Sequence, residues 1–290
     1  MNNAKVDTDI TLTVVIPTLG GEGLVETINA LRNGSVIPDK ILICIPKGFE
    51  KSVNHLAGPG VEIFITNAKG QVSQRALGFS ASKSEYILQL DDDIHLAPQC
   101  LEILLETSIK LGSNVAVSPS FISTVSGKSL YRINTTSKLK KLYFWILNGK
   151  KGYQPGTLTL AGTCFGIDYE LVDTSEIEVD WLPGGCVLHQ RDNVITENYY
   201  PFTGKAYGED FFFSILAREK GIKLYISTKA TCLVEPVTPV KNMRFVDFRR
   251  YFFDELKVRK AFVERTGGSL FRMYTFYLIM FFQYLFARQR

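Results

Sequence analysis

The chain has 290 residues, 46% of them hydrophobic and 21% charged, so it can bury a sizeable core and bulk disorder is excluded. The net charge of +4 is too small to indicate nucleic acid as a partner. The first ten residues are polar and unlike a secretory signal peptide, which predicts a cytoplasmic protein.

Short apolar runs alternate with helical patterns through the first half of the chain. β-branched runs predict strands, and apolar residues three and four positions apart predict helices. The predicted strands are 12–16, 41–45, 61–65, 86–90 and 115–117. The predicted helices are 23–32, 71–82, one that starts near Pro98, and 209–220. This alternation predicts an α/β fold with a mixed, mostly parallel sheet flanked by helices, in which ligands bind beyond the carboxyl ends of the strands.

The pattern breaks down between residues 120 and 156, where lysines surround the apolar run 142–147. We expect a solvated surface loop there, and a flexible insertion or a flap over a ligand site is the alternative. Residues 157–166 regain the character of a strand.

Three consecutive carboxylates, Asp91, Asp92 and Asp93, directly follow the predicted strand 86–90. If the extended backbone continues, Asp91 and Asp93 point the same way and Asp92 faces away. Two converging carboxylates repel each other unless a cation lies between them, and oxygen ligands suit Mg²⁺ or Mn²⁺. The alternative is a polar cap in which the aspartates only form a turn.

Five short motifs carry a resemblance to a known family. They are Val-Val-Ile-Pro-Thr-Leu at 14–19, Gln-Arg-Ala-Leu-Gly at 74–78, Glu-Tyr-Ile-Leu-Gln-Leu-Asp-Asp-Asp at 85–93, Asp-Trp-Leu-Pro-Gly-Gly at 180–185 and Gly-Glu-Asp at 208–210. In this order and spacing, the chain resembles the inverting family-2 glycosyltransferases with the GT-A (Rossmann-like) fold over roughly residues 11–236.

The resemblance implies a role for each matching residue on the donor side. Pro17 and Thr18 would end the first strand against the nucleotide, and Arg75 would lie near the donor phosphates. Asp91 would lie toward the ribose and the metal, and Asp93 on the metal itself. The resemblance also implies that Asp92, between them in the motif, belongs to the nucleotide-binding residues.

On the acceptor side, the resemblance implies that Trp181, Gly184 and Gly185 contact the acceptor and the donor sugar, and that Asp210 is the catalytic base with Glu209 beside it. The chemistry agrees, because an attacking hydroxyl must lose its proton, and a carboxylate at a helix N-terminus can accept it.

The implied activity is transfer of a hexose from a nucleotide-diphosphate sugar, with UDP as the expected nucleotide, to a hydroxyl of a polysaccharide or glycolipid. The implied reaction is metal-dependent and inverts the anomeric configuration. Two alternatives stay open. One is a sugar nucleotidyltransferase, although the glycine-containing loop 19–23 lacks the basic residue that this class uses. The other is a non-catalytic module of the same fold, since no Asp ends the second strand to contact the base.

Three further side chains are candidates for the same site. Glu235 or His189 could supply a third metal ligand. Arg191 could bind a phosphate because its guanidinium suits bidentate contact, and a surface salt bridge is the alternative.

The C-terminal segment 241–290 differs from the predicted glycosyltransferase domain, 1–240. It carries eleven Lys or Arg against four Asp or Glu, yet residues 273–287 are uncharged and are followed by Arg288 and Arg290. Tyr and Phe favour membrane interfaces, so we expect a helix that lies peripherally on the cytoplasmic face of a membrane. This position would fit a lipid-linked acceptor. Packing on the body of the protein or a homo-oligomer is the alternative.

Overall fold

The structure is a computed structural model, and it describes residues 10–133, 137–203, 205–236 and 238–287. Predictions for residues 1–9, Arg288 and Arg290 lie outside this part of the chain. The contacts divide the chain into two compact units. Unit 1 contains the described residues up to Leu130 together with Tyr169–Glu235, and unit 2 contains Tyr131–Asp168 and the described residues from Pro236. The domain limit predicted at residue 240 stays a prediction, while these contacts group 131–168 with the C-terminal residues.

Unit 1 is built on a mixed sheet of nine strands within the described residues. The strands are β1 (Leu12–Pro17), β2 (Lys40–Pro46), β3 (Val61–Thr66), β4 (Tyr86–Leu90), β5 (Ile94–Leu96), β6 (Val115–Ser123), β7 (Glu176–Val179), β8 (Cys186–Gln190) and β9 (Lys223–Val234). Their order is β3-β2-β1-β4-β8-β6-β9-β5, and β7 also pairs with β9. Strands β3, β2, β1 and β4 are mutually parallel, whereas β8 is antiparallel to both β4 and β6.

Seven α-helices lie in the described residues. They are α1 (Leu24–Arg32), α2 (Gln71–Ala81), α3 (Cys100–Leu111), α4 (Lys138–Asn148), α5 (Glu209–Glu219), α6 (Phe245–Thr266) and α7 (Leu270–Ala287). Helices α4, α6 and α7 belong to unit 2. The residues of β1 and β4 are buried on both faces, as expected for central strands of a covered sheet. The predicted α/β architecture is therefore confirmed.

The structure departs from the predictions between residues 120 and 166. Strand β6 continues to Ser123, and the expected surface loop contains helix α4, whose Phe144 and Leu147 are buried. Residues 157–166 do not form a strand. They make a tight turn with a single bridge between Leu158 and Cys164, because Gly162 has a φ of 73° and interrupts the extended backbone.

Unit 2 has its own core. Phe144, Leu147 and Phe165 form one cluster, and Phe276 of α7 packs against it. A second cluster joins α6 to a stripe of α7 that includes Met273, Tyr277 and Met280. The Glu255 carboxylate of α6 is buried there between Arg259 and the hydroxyl of Tyr277. The buried Glu255 carboxylate is thus paired, as a buried charge must be.

Strand direction determines which residues meet at one edge of the sheet. Strands β1 and β4 are parallel, so Pro17 and Leu90 end at the same edge. Strand β8 is antiparallel to β4 and therefore begins at that edge, where the backbone N–H of Asp91 donates to the carbonyl of Gly185 at 2.8 Å. The motifs around residues 17, 91 and 185 thus come together although they are far apart in the chain.

Candidate active site

A cavity of about 740 Å³ lies at this edge of the sheet. Five of the residues predicted from the sequence line it, namely Pro17, Thr18, Asp91, Asp92 and Asp93. Further lining comes from the start of α2 and from the segment before α5, including Lys69, Gln71, Gln74 and Lys205. The wall is therefore mixed in charge, with carboxylates and two ammonium groups around one space.

Asp92 does not face away, so that prediction is wrong. The chain turns directly after β4, and the alternation of an extended strand stops there. The Asp92 carboxylate lines the cavity and accepts a hydrogen bond from the Thr18 hydroxyl. The same hydroxyl oxygen accepts the backbone N–H of Gly20 at 2.8 Å. Asp92 thus ties the loop after β1 to the acidic cluster.

Asp91 and Asp93 differ in their surroundings. Asp91 accepts hydrogen bonds from Gln71 Nε2 at 2.8 Å and from Arg75 Nη2 at 3.2 Å, both on the same oxygen, Oδ1. Burial raises the pKa of Asp91 to about 6, and Arg75 opposes that rise. The pKa of Asp93 is also raised, by burial and by the neighbouring Asp92 charge. A cation in the cavity would relieve the repulsion among these carboxylates.

Arg75 does not line the cavity, because α2 directs its side chain into the protein, where it is 2% exposed. Its Nη1 donates to Glu209 Oε1 at 2.8 Å, and the Tyr199 hydroxyl donates to the other oxygen of Glu209 at 2.6 Å. The Glu209 side chain is 7% exposed. The implied place of Arg75 against the donor phosphates is therefore replaced by a buried bridge between two carboxylates.

Asp210 and Glu209 open helix α5, preceded by Gly208 in the left-handed conformation with a φ of 62°. Glu209 is buried, and Asp210 is partly exposed in the first turn, where a helix favours negative charge. A Cβ added at Gly184 would lie 3.3 Å from Cβ of Asp210, and one at Gly185 would lie 3.3 Å from Asp91 Oδ2. The two glycines therefore connect the end of β4 to the start of α5.

Trp181 is 2% exposed and packs edge-on against Phe211, with ring centroids 5.6 Å apart. It supports α5 from within the protein and is not part of the cavity lining. The predicted contact of Trp181 with a sugar is not provided by this arrangement, because the side chain is occupied by core packing.

Arg191 lies at the other end of the sheet. Gln190 pairs with Tyr86 at the start of β4, and Arg191 Nη1 donates to the carbonyl of Lys83 at 2.7 Å. The prediction that Arg191 binds a donor phosphate is therefore not supported, because β8 runs antiparallel to β4 and carries this residue away from the cavity.

The structure distinguishes between the two candidates for a third metal ligand, His189 and Glu235. His189 pairs with Ile87 inside the sheet, is fully buried between the rings of Phe79 and Phe213, and lies four strand positions from Asp91. It cannot reach a metal in the cavity. Glu235 is exposed and directly follows Val234, which pairs with Ile94 in antiparallel register, so it lies at the position opposite Asp93. Glu235 thus stays a candidate.

The sequence interpretation missed Tyr199 and Lys205. Tyr199 precedes Tyr200 and Pro201 in a segment without periodicity, and Lys205 stands in the same irregular stretch. Neither carries a signal of its own, because only the folded chain brings them to α5 and the cavity.

A divalent cation fits the donor set of this cavity. Within the described residues, no three His, Cys, Asp or Glu side chains are gathered as a complete metal cage. Mg²⁺ and comparable ions commonly use one or two protein carboxylates and take their other ligands from water and substrate phosphates. Asp93 and the free oxygen of Asp91 match that pattern, since both side chains line the cavity.

Comparison with known proteins agrees with this geometry. The family described as Glycosyl transferase family 2 matches residues 13–175, more than half of the chain. Among solved structures, the chain is similar to a crystal structure of GalNAc-T7 with UDP, GalNAc and Mn²⁺, with a TM-score of 0.56 and 16% sequence identity. The similarity covers 87% of this chain and 50% of that one, so the chain spans half the length of that protein and shares its fold. Among curated protein sequences, none matches. The chain belongs to glycosyl transferase family 2 and has the GT-A fold.

Proposed function

We propose that the protein transfers a hexose from a UDP-linked donor to a hydroxyl group of a glycan or glycolipid, with inversion at the anomeric carbon. One observation carries the proposal: the acidic residues that follow β4 and the acidic pair that opens α5 meet across Gly184 and Gly185. Similarity to a structure with UDP and Mn²⁺ bound supports the same donor and metal class.

The donor side of the site would be formed by the residues that line the cavity. Asp93 and Asp91 would hold Mn²⁺ or Mg²⁺, which when bound neutralises the diphosphate leaving group. Lys69 and Lys205 lie in the same wall and add positive charge for the phosphates. Thr18 and Asp92, hydrogen-bonded to each other, would hold the loop after β1 against the nucleotide.

Asp210 would act as the base. The acceptor oxygen forms a bond to the anomeric carbon while the bond from that carbon to the diphosphate oxygen breaks. The hydroxyl proton passes to the Asp210 carboxylate, and UDP leaves with the electron pair of the broken bond. Because attack and departure occur on opposite faces in one step, the anomeric configuration inverts.

A donor screen tests this function by measuring UDP release from UDP-hexoses with Mn²⁺ or Mg²⁺ present. We expect Asp93→Ala and Asp210→Asn each to lower turnover by about 100-fold or more, since general base catalysis and charge stabilisation each contribute on that order. Asp192→Asn, at the opposite end of the sheet, is the matched control and should keep wild-type turnover. Equal turnover of the two variants and the wild type would refute the mechanism.

We further propose that unit 2 lies peripherally on an anionic membrane surface at the cytoplasmic side, where a lipid-linked acceptor would be presented. Helix α7 is, within the described residues, the one helix long and apolar enough to cross a membrane by length and composition, and 22% of it is buried. Its packed stripe is Met273, Tyr277, Met280 and Tyr284. A second apolar stripe is exposed and includes Phe271, Tyr274, Leu278, Phe282, Leu285 and Phe286.

Charge supports the same surface. Arg249 and Arg250 of α6 are exposed, and basic side chains beside an aromatic helix favour anionic lipid headgroups. A homo-oligomer that covers the exposed stripe of α7 is the competing arrangement, and sedimentation with anionic vesicles separates the two.

A further inference from the structure

A buried network joins the donor side of the site to helix α5, and its members Arg75, Glu209 and Tyr199 lie outside the cavity lining. The Arg75 guanidinium bridges Asp91 Oδ1 at 3.2 Å and Glu209 Oε1 at 2.8 Å. The Tyr199 hydroxyl holds the second oxygen of Glu209 at 2.6 Å. Gln71 holds Asp91 from the other side at 2.8 Å. Five side chains thus form one chain of contacts from the end of β4 to α5.

Burial makes this arrangement rigid. Arg75 is 2% exposed, so its charge has lost its water and depends on the two carboxylates. A guanidinium is planar and presents its donors in a fixed fork, so it sets the separation of the two carboxylates that it bridges. Moving either carboxylate would leave a buried charge unpaired.

The chain before β8 packs closely against the same network. A Cβ at Gly184 would approach Glu209 Oε1 to 2.6 Å, and the same glycine lies against Asp210. Glu209 precedes Asp210 in the first turn of α5, so the position of its carboxylate determines how that turn is held.

We infer that Arg75, Glu209 and Tyr199 are positioning residues, which fix the start of α5, and with it Asp210, at a set distance from the donor-binding Asp91. This inference rests on the proposed function. It reassigns Glu209 from a catalytic to a positioning role and gives Arg75 a function other than phosphate contact. Tyr199 bonds Glu209 at the α5 end and lies beside Arg75, Gln71 bonds Asp91 at the β4 end, and Arg75 bonds both carboxylates.

That division gives a test with two separate readouts, kcat for UDP release and the Kd of UDP in the presence of Mn²⁺ by calorimetry. Tyr199→Phe removes one hydroxyl that bonds a charged group, so we expect kcat to fall about tenfold with the Kd unchanged. Gln71→Leu should weaken UDP binding about tenfold and affect kcat less. Arg75→Lys should impair both, because a single ammonium cannot reproduce the bridge.

Matched controls separate positioning from general destabilisation. Tyr225→Phe removes a Tyr–Glu hydrogen bond of 2.9 Å to Glu178, remote from the cavity, and should keep both values. Arg218→Lys alters an ion pair to Asp180 on the same helix, α5, and should also keep both. If Arg75→Lys does not fold, Tyr199→Phe still decides.

The outcomes distinguish the two proposals. A wild-type protein that turns over a UDP-hexose while Tyr199→Phe matches Tyr225→Phe in kcat would overturn the positioning role alone. A wild-type protein that turns over none of the UDP-hexoses would overturn the proposed function, and the positioning role would fall with it.

Discussion

The two units depart from the usual distribution of side chains in opposite directions. Unit 1 buries charged groups around its cavity, with Arg75 2% and Glu209 7% exposed. Unit 2 exposes aromatic groups along α7, with Phe271 81% and Phe286 63% exposed. Burying charge and exposing large apolar side chains both cost free energy unless something compensates. In unit 1 the compensation is inside the fold, and in unit 2 we propose that it comes from a membrane.

This contrast also tells where each unit tolerates change. The buried network of unit 1 is held from both ends, since Arg75 bonds two carboxylates and each carboxylate is bonded by a second side chain, Gln71 or Tyr199. The exposed side chains of the α7 stripe are not held in place by a comparable network of charged partners. Substitutions in the buried network of unit 1 should therefore change the positions of catalytic groups. Substitutions on the α7 stripe should change the apolar surface area that membrane binding removes from water.

Gly184→Ala should have the largest effect. The new Cβ would lie 2.6 Å from Glu209 Oε1, an oxygen that Arg75 holds in place, so the start of α5 must shift. Because small misplacements of reacting groups can cost about 100-fold in rate, we expect kcat to fall by about that factor. Steady-state UDP release measures it.

Gly58→Ala is the control for that substitution, since nothing lies within 4 Å of its added Cβ. Wild-type kcat in Gly184→Ala would show that the buried network can relax, and the proposed rigidity of unit 1 would then be wrong.

His189→Leu should change the pH dependence of stability by a smaller amount. Burial lowers the pKa of His189 from the ordinary 6.5 to about 3, with a further contribution from Arg75. Below pH 6.5 the unfolded chain therefore binds a proton at this residue, whereas the folded chain does not. The free energy of unfolding consequently falls as the pH falls toward 3. At pH 5 this loss amounts to about 2 kcal/mol.

The measurement is urea unfolding of the wild type and His189→Leu at pH 7 and pH 5. The variant should lose about 2 kcal/mol less than the wild type over this interval. His55→Leu, which replaces an exposed histidine, should behave as the wild type. Parallel losses in all three proteins would mean that His189 becomes protonated without unfolding.

Much of unit 1 could be predicted because its strands and helices carry local signals. The bounds predicted for β1, β4 and α1 from apolar runs and periodicity lie within one or two residues of the observed bounds. Pro17, Thr18 and Asp91–Asp93 follow from strand ends, and the structure places them in one cavity. Local pattern suffices where the buried face of an element is set by its own sequence.

The errors have a common physical origin in long-range contacts. Helix α4 is not recognised from its sequence because lysines interrupt its apolar pattern. Its buried face packs against Phe165 and Phe276, which come from distant parts of the chain. The position of Arg191 depends on the antiparallel direction of β8, which no residue of that strand specifies. The orientation of Asp92 is set by another distant contact, because its carboxylate bonds Thr18 in the loop after β1.

Phe286→Ser should have the smallest effect, and it tests the other side of the comparison. This side chain is 63% exposed, so burial of its ring in a membrane would contribute about 1.4 kcal/mol, or tenfold in vesicle binding. Sedimentation of the full chain with phosphatidylserine-containing vesicles measures the partition. Val125→Ser is the control, because Val125 is an 82% exposed apolar residue of unit 1. If the wild type stays in the supernatant and forms a dimer that Phe286→Ser weakens, then a second copy of the chain, and not a membrane, covers α7.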